Sequence, residues 1–225
     1  MIAYCITLET KQSQNSARVL QASHERVGNE FELRTFTATG PGAAESLMRW
    51  HDIRWTYPWV GEERAVGLVL HAYATKNRKA RMACFMSHFR LWVRATEHPV
   101  LIMEDDAIFI RKFDPDPLLT SPFDVIGIND PRGATRKASV FHAAVQRQDR
   151  DICAVPWVDS PEIPQGLAGA SAYLMRPEGA LSAITATRTL GAWPNDALLC
   201  KQLIDGLGTT KTYYTTVQRT RSTLA

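Results

Sequence analysis

Hydrophobic and polar positions alternate along this chain in two periods, and the switches between them predict its elements. Ile2 to Leu8 reads as a buried first strand, and the polar run from Glu9 leads into a helix carrying Ala17, Val19, Leu20 and Ala22. A strand followed by a helix points to an α/β fold. Phe31 to Thr37 alternates as a second strand, and the glycines and proline of TGPGA, residues 39–43, mark a loop. KNRKAR at 76–81 opens a helix in which Met82, Phe85, Met86, Phe89, Trp92 and Val93 fall at helical spacing. VLIMEDDAIF at 100–109 is read as one strand, FDPDPLLTSPFD at 113–124 as a proline-punctuated loop, and DVIGI at 124–128 as another apolar strand.

Residues 129–165 carry many polar positions and little periodicity, which predicts a long active-site loop or a partly ordered lid. GLAGASAYLM at 166–175 reads as a small-residue strand that lets something approach its backbone closely. The helix over 177–186 has Pro177 in its first turn, AWPNDALLCKQLI brings Asp196 to the start of another apolar helix, and the tail TYYTTVQRTRSTLA is β-rich and basic. Neither an internal repeat nor an interdomain linker is evident, so a single domain is expected.

Composition narrows the class. With 225 residues, 45% hydrophobic and 22% charged, the chain can bury a full core. A net charge of +3 permits a polyanionic partner without requiring one. Cys5, Cys84, Cys153 and Cys200 are widely separated, without zinc-type spacing, and read as free thiols in a reducing compartment. The apolar opening is too short for a signal peptide, and no run approaches the roughly 18 apolar residues of a membrane span. A cytoplasmic protein without a transmembrane segment is the expectation.

The chemistry concentrates in LIMEDDAIF, residues 101–109, where Glu104, Asp105 and Asp106 interrupt an apolar stretch. The acids are either a solvated strand end or a site for a hard divalent cation and a phosphate, because three adjacent carboxylates need protons, basic partners or a cation to relieve their repulsion. Trp50, Trp55, Tyr57 and Trp59 either pack as a satellite cluster or line a surface for a sugar or a base. KNRKAR is a solvated helix start that would also suit an anionic substrate. Asp196, taken alone, is an N-terminal helix acid favoured by the macrodipole.

In order and spacing, ACFMSHFRLW (83–92), VLIMEDDAIF (100–109), ASAYLMRPEGA (170–180), PNDALL (194–199) and VQRTRSTL (217–224), with the opening ITLETKQSQNSARV, resemble glycosyltransferase family 25. The family contains bacterial lipooligosaccharide galactosyltransferases, collagen hydroxylysine galactosyltransferases and viral relatives. The resemblance implies a GT-A-like nucleotide-sugar fold, a mostly parallel sheet flanked by helices, with a nucleotide-sugar part over about 1–128 and an acceptor side over about 129–225. It makes Asp106 the direct ligand of Mn²⁺ or Mg²⁺, with Glu104 or Asp105 assisting through the metal or the ribose of a UDP-galactose or UDP-glucose donor.

On the same footing Asp196 becomes the candidate base of an inverting transfer, and Ser87 and His88 stand near the nucleotide or phosphates. His88 can equally be half of a buried hydrogen-bonded pair. Arg18 matches a basic position that would meet the nucleotide, and Gly169, Ser171 and Tyr173 are candidates for a close backbone approach and a hydroxyl beside the sugar. Asn195 stands where many members have a hydrophobic residue, a departure that bears on the acceptor, and Trp193 either stacks on a sugar or packs. The expected acceptor is a lipooligosaccharide or other glycan; DNA with a hydroxymethylated base, in a phage-infected cell, is the second reading. A metal-dependent phosphoesterase and an inactive binding module on the same fold stay open beside them.

Overall fold

The computed structural model describes residues 1–133 and 137–218. Strand β1 (Ile2–Thr7) sends Ala3 and Cys5 to one face and Tyr4 to the other. Helix α1 (Lys11–Arg26) is capped by the Thr10 side chain, which accepts the Ser13 N–H. Its buried face is Ser13, Ser16, Leu20, Ser23 and His24, so of the expected apolar stripe only Leu20 is buried, and Val19 is 49% exposed. Small hydroxyl side chains let the helix lie close to backbone it also serves: Ser13 Oγ accepts the Leu8 N–H and Ser23 Oγ the Phe109 N–H.

Strand β2 (Glu32–Thr37) follows, and then α2 (Pro41–Trp50), which begins inside the expected 39–43 loop. Gly40 is its N-cap and Pro41 its first residue, so the loop-like composition marks a helix start. A short hairpin, β3 (Glu62–Ala65) and β4 (Leu68–His71), precedes α3 (Arg78–Ala95), whose Asn77 cap accepts the Ala80 N–H. All the predicted apolar residues of α3 are buried except Val93.

The acidic stretch is two strands. β5 (Val100–Glu104) ends at the first acid, the chain turns at Asp105 and Asp106, and β6 (Ala107–Phe109) leaves the central sheet. A short helix α4 (Asp116–Leu119) lies within the expected loop, and β7 (Val125–Gly127) follows. The expected long loop contains a 3-10 turn at Pro131–Gly133, α5 (Ala138–Gln146) and β8 (Ile152–Ala154). α5 is held by burying Phe141 and Val145 in the core, which sparse periodicity had concealed. β9 (Ala172–Met175) is shorter than predicted, α6 (Pro177–Leu190) longer, and α7 (Asn195–Leu198) is one turn only. β10 (Leu207–Thr210) and β11 (Thr215–Val217) close the fold, with β11 paired to β6. The rest of the predicted basic tail, from residue 219, lies outside the described residues.

Among the described residues, seven central strands run in the order β2-β1-β5-β9-β7-β10-β8. β9 and β8 run against the other five, so the sheet is mostly parallel in direction, as expected. One face packs α3 and α6 around Phe85, Trp92 and Tyr173; the other packs α1 over Leu101, Met103 and Leu174. Such a sheet is flanked by helices on both faces. From β1 the chain passes through α1 to β2 on one side and returns through α3 to β5 on the other, so a crevice opens between the carboxyl ends of β1 and β5. Among the described residues no helix is long and apolar enough to cross a membrane.

Candidate active site

That crevice is a cavity of about 420 Å³. Its walls come from the ends of β1 and β2, the first turns of α1, the inner face of α3 and the acidic turn. Thr10 and Ser13 stand at the start of α1, and Asn77 and Ala80 at the start of α3. The positive ends of two helices therefore lie beside one space, a setting that favours anions.

Glu104, Asp105 and Asp106 line the same cavity. Burial pushes the Asp105 carboxyl up; a hydrogen bond from Ser13 opposes this and the Glu104 charge adds to it. Burial pushes Asp106 further, to about 7, with repulsion from Glu104 and Asp105 adding and a hydrogen bond from Ser171 opposing. One oxygen of Asp106, Oδ1, is buried with no hydrogen-bond partner among the described residues. An orphaned carboxylate oxygen among repelling carboxylates is a donor set that fits a hard divalent cation. Cys84 Sγ, His88 and Glu104 also gather within 4.8 Å of one another, a softer set.

Backbone contacts hold the acidic turn. Glu104 N–H donates to Ser171 O at 2.8 Å, the close approach expected of the small-residue segment. Gly169 adopts φ +81°, and a Cβ there would lie 2.8 Å from Asn129 Nδ2. Gln218, which sequence reasoning did not single out, donates its backbone N–H to Asp106 O at 2.6 Å and its side-chain amide to Asp105 O and Ser16 O. Its only prior signal was its place in the closing VQRTRSTL stretch. Ser13, also missed, had only its place in the opening ITLETKQSQNSARV stretch and at the polar start of a helix.

The other expected residues divide. Ser87 and His88 reach the cavity wall. Ser87 Oγ is committed to protein, donating to Ala83 O at 2.8 Å and accepting the Thr39 N–H at 2.9 Å, so it pins the end of β2 to α3. His88 is 1% exposed, hydrogen-bonded to Tyr173 and Glu104, as in the buried-pair reading. Tyr173 is wholly buried behind His88 and lines no part of the cavity, which corrects the expectation of a hydroxyl beside the sugar. Arg18 lies on the exposed side of α1, bonded to Asn15 at 3.1 Å and away from the cavity, because the helix turns its serines inward.

Asp196 keeps an exposed surface at the start of α7, yet dense protein beside its carboxyl pushes it up; Arg81 opposes the shift, Glu104 adds to it, and a hydrogen bond from Tyr73 opposes it. It lines no part of the cavity, though its charge acts on Cys84, which does. Asn195 turns inward, its Oδ1 3.9 Å from Cys84 Sγ, and is 7% exposed, so it faces the protein. Trp193 packs, buried, with its Nε1–H donated to Thr56 Oγ1 at 2.9 Å. Trp55 and Trp59 stack at 4.7 Å and Trp55 abuts Phe85, the packing reading, while Trp50 is 78% exposed.

Residues 70–116, which carry α3 and the acidic turn, match the sequence model of glycosyltransferase family 25 (LPS biosynthesis protein). The match bears out the family resemblance and, with it, the expectation of a glycosyltransferase. The other motifs of the resemblance lie outside the matched residues. Comparison with curated proteins yields no match. Among solved structures, an active-site mutant of LgtC is similar at 8% identity and TM-score 0.46 over 93% of this chain and 72% of that one. The galactosyltransferase LgtC in complex with donor and acceptor sugar analogs is similar at 9% identity and TM-score 0.45, over 93% and 73%. The glycosyltransferase GlyE of Streptococcus pneumoniae TIGR4 is similar at 8% identity and TM-score 0.43, over 93% of this chain and 45% of that one.

Proposed function

We propose, from the match of residues 70–116 to the sequence model of glycosyltransferase family 25, a GT-A-like hexosyltransferase that moves galactose or glucose from a UDP-sugar to a hydroxyl of a glycan such as a lipooligosaccharide. The observation that carries this reading is the acidic turn: three carboxylates at the end of β5, facing a cavity flanked by two helix starts. Asp106 and Glu104 would hold Mn²⁺ or Mg²⁺, with Asp105 steadied by Ser13. A cation there supplies charge neutralisation for the departing diphosphate. The nucleotide part lies over about 1–128 and the acceptor side over about 129–225.

The residues of this chain supply the rest. The starts of α1 and α3 present positive dipole ends to the diphosphate, and Ser87 keeps Thr39 on the cavity wall. Asp196 takes the proton of the acceptor hydroxyl as that oxygen attacks the anomeric carbon and the diphosphate leaves from the other face, giving inversion. A carboxyl pushed up by its surroundings is a stronger base than a free one, and Tyr73 steadies it.

The test is thermal stability with UDP-galactose, UDP-glucose, UDP-GlcNAc and their GDP counterparts, each with Mn²⁺ or with chelator. At a concentration of about 100 times Kd a donor stabilises by roughly 2.7 kcal/mol, which for a chain of this size raises Tm by about 5–11 °C. A Mn²⁺-dependent rise with one UDP-sugar supports the reading. No rise with any donor removes it.

A further inference from the structure

Behind the acidic turn runs a file of buried polar side chains that the transfer chemistry does not touch. Trp92 Nε1 lies 2.9 Å from Tyr173 Oη, Tyr173 Oη 2.7 Å from His88 Nδ1, and His88 Nε2 3.1 Å from Glu104 Oε1. Trp92 and Tyr173 are 0% exposed and His88 1%. The ring of His88 lies nearly parallel to that of Tyr173, at 12° with centroids 5.8 Å apart, so its plane is held as well.

Donor chemistry gives each bond a direction. An indole N–H can only donate, so Tyr173 Oη accepts from Trp92 and its own hydrogen needs an acceptor. Among the described residues the other hydrogen-bond partner of that oxygen is His88 Nδ1. Tyr173 therefore donates to Nδ1, which leaves Nε2 as the ring nitrogen that carries a proton, pointed at the Glu104 carboxylate. The opposite tautomer fails twice. It leaves the Tyr173 hydrogen without an acceptor among the described residues, at a wholly buried side chain, and it sets a nitrogen lone pair against a carboxylate oxygen.

We propose that Trp92, Tyr173 and His88 form a one-way hydrogen-bond relay whose output is a fixed Nε2–H donor, and that His88 is thereby a positioning residue that aims Glu104 at the cavity. Two consequences follow. His88 does not contact the donor's phosphates through a free nitrogen, because both ring nitrogens are occupied by protein. Nor does it complete a soft-metal site with Cys84 and Glu104, because the lone pair such a cation needs is replaced by the relay's proton. The effect on metal affinity rests on the proposed role of Glu104; the bond directions do not.

The experiment has two arms on the full chain. In the first, ¹⁵N-labelled histidine and long-range ¹H–¹⁵N correlation, at neutral pH without metal, report the tautomer of His88, assigned by its loss in His88→Gln. The Nε2–H form is expected, and Tyr173→Phe should release the ring from a single tautomer. In the second, electron paramagnetic resonance reports free Mn²⁺. Tyr173→Phe should weaken Mn²⁺ binding by roughly 10–100-fold, the usual effect of losing a group that orients a ligand. His88→Gln, whose amide can still donate to Glu104, should retain most of the affinity, and His88→Leu should lose it. A purely structural role would lower Tm in both His88 variants without separating their Mn²⁺ affinities.

An Nδ1–H or doubly protonated ring would overturn the relay, as would Co²⁺ binding with a thiolate charge-transfer band that requires Cys84 and His88 together. Equal Mn²⁺ affinity in all variants would overturn the positioning role. A wild-type chain that shows the Nε2–H tautomer but binds no Mn²⁺ would uphold the relay and remove the metal assignment.

Discussion

Replacing Asp106 with Asn should stabilise the metal-free protein at alkaline pH. In the folded chain this carboxyl is pushed from its ordinary 3.8 to about 7 by burial and by Glu104 and Asp105. Between those pH values the folded protein holds a proton that the unfolded chain has released, so stability falls as pH rises. The favourable contribution is complete below about 3.8 and is lost once pH has passed about 7. At about 1.36 kcal/mol per tenfold shift the full displacement corresponds to roughly 4 kcal/mol. Partial solvent access and sharing of the repulsion among three acids reduce this to roughly 1–2 kcal/mol.

An Asn side chain lacks that slope while keeping shape and a hydrogen-bond acceptor for Ser171. The Tm of Asp106→Asn should match wild type near pH 4 and exceed it by about 3–6 °C at pH 8, in chelator. Mn²⁺ added at pH 8 should reverse the order, because only wild type gains the ligand. Calorimetry across that pH range decides the matter. A variant less stable than wild type at pH 8, or a difference that does not change with pH, would refute the account of three carboxylates held in mutual repulsion.

Asp196→Asn should leave the donor-induced Tm rise intact and lower transfer by roughly 10²–10⁴-fold; retained transfer would assign the base elsewhere. Gly166→Ala would put a Cβ 2.3 Å from Asp196 O and 3.0 Å from Leu199 O, displacing α7 at a cost of about 1–3 kcal/mol. Its Tm should fall and its transfer rate should fall with it while donor affinity persists, and an unchanged Tm would contradict the packing. Ser13→Ala removes the acceptor of the Leu8 N–H and a donor to Asp105, so a loss of about 1–3 kcal/mol in denaturant unfolding is expected. Its Mn²⁺ affinity should also drop, and an unaltered affinity would detach Asp105 from the site.

Much of this molecule was legible before its folding was known. The apolar run of β1 and the stripe of Met82, Phe85, Met86, Phe89 and Trp92 in α3 are local signals, because a short apolar run or a helical period marks what must be buried. Three acids inside an apolar run marked a candidate site for the same local reason, since charge there is costly unless something answers it, but the turn that splits the run into β5 and β6 was not read. The misreadings also have local causes. Glycine and proline mark both loops and helix starts, so α2 was hidden at Gly40 and Pro41, and a serine-lined face on α1 looked polar when it was buried.

What the chain order could not contain is which distant residues meet. Tyr173 lies 85 positions from His88, and they touch because β9 is laid antiparallel beside β5, a pairing set by the sheet as a whole. The same pairing turns Tyr173 away from the cavity and behind His88, where it acts through another residue. Arg18 faces solvent and Gln218 clasps the acidic turn because of how α1 and the C-terminal strand dock, which no periodicity along either segment records. Sequence alone thus determined the elements whose apolar pattern is strong, β1 and α3 above all, since those depend on near neighbours; tertiary structure decided the rest and the company each polar side chain keeps, since burial leaves it only the partners that packing brings within reach.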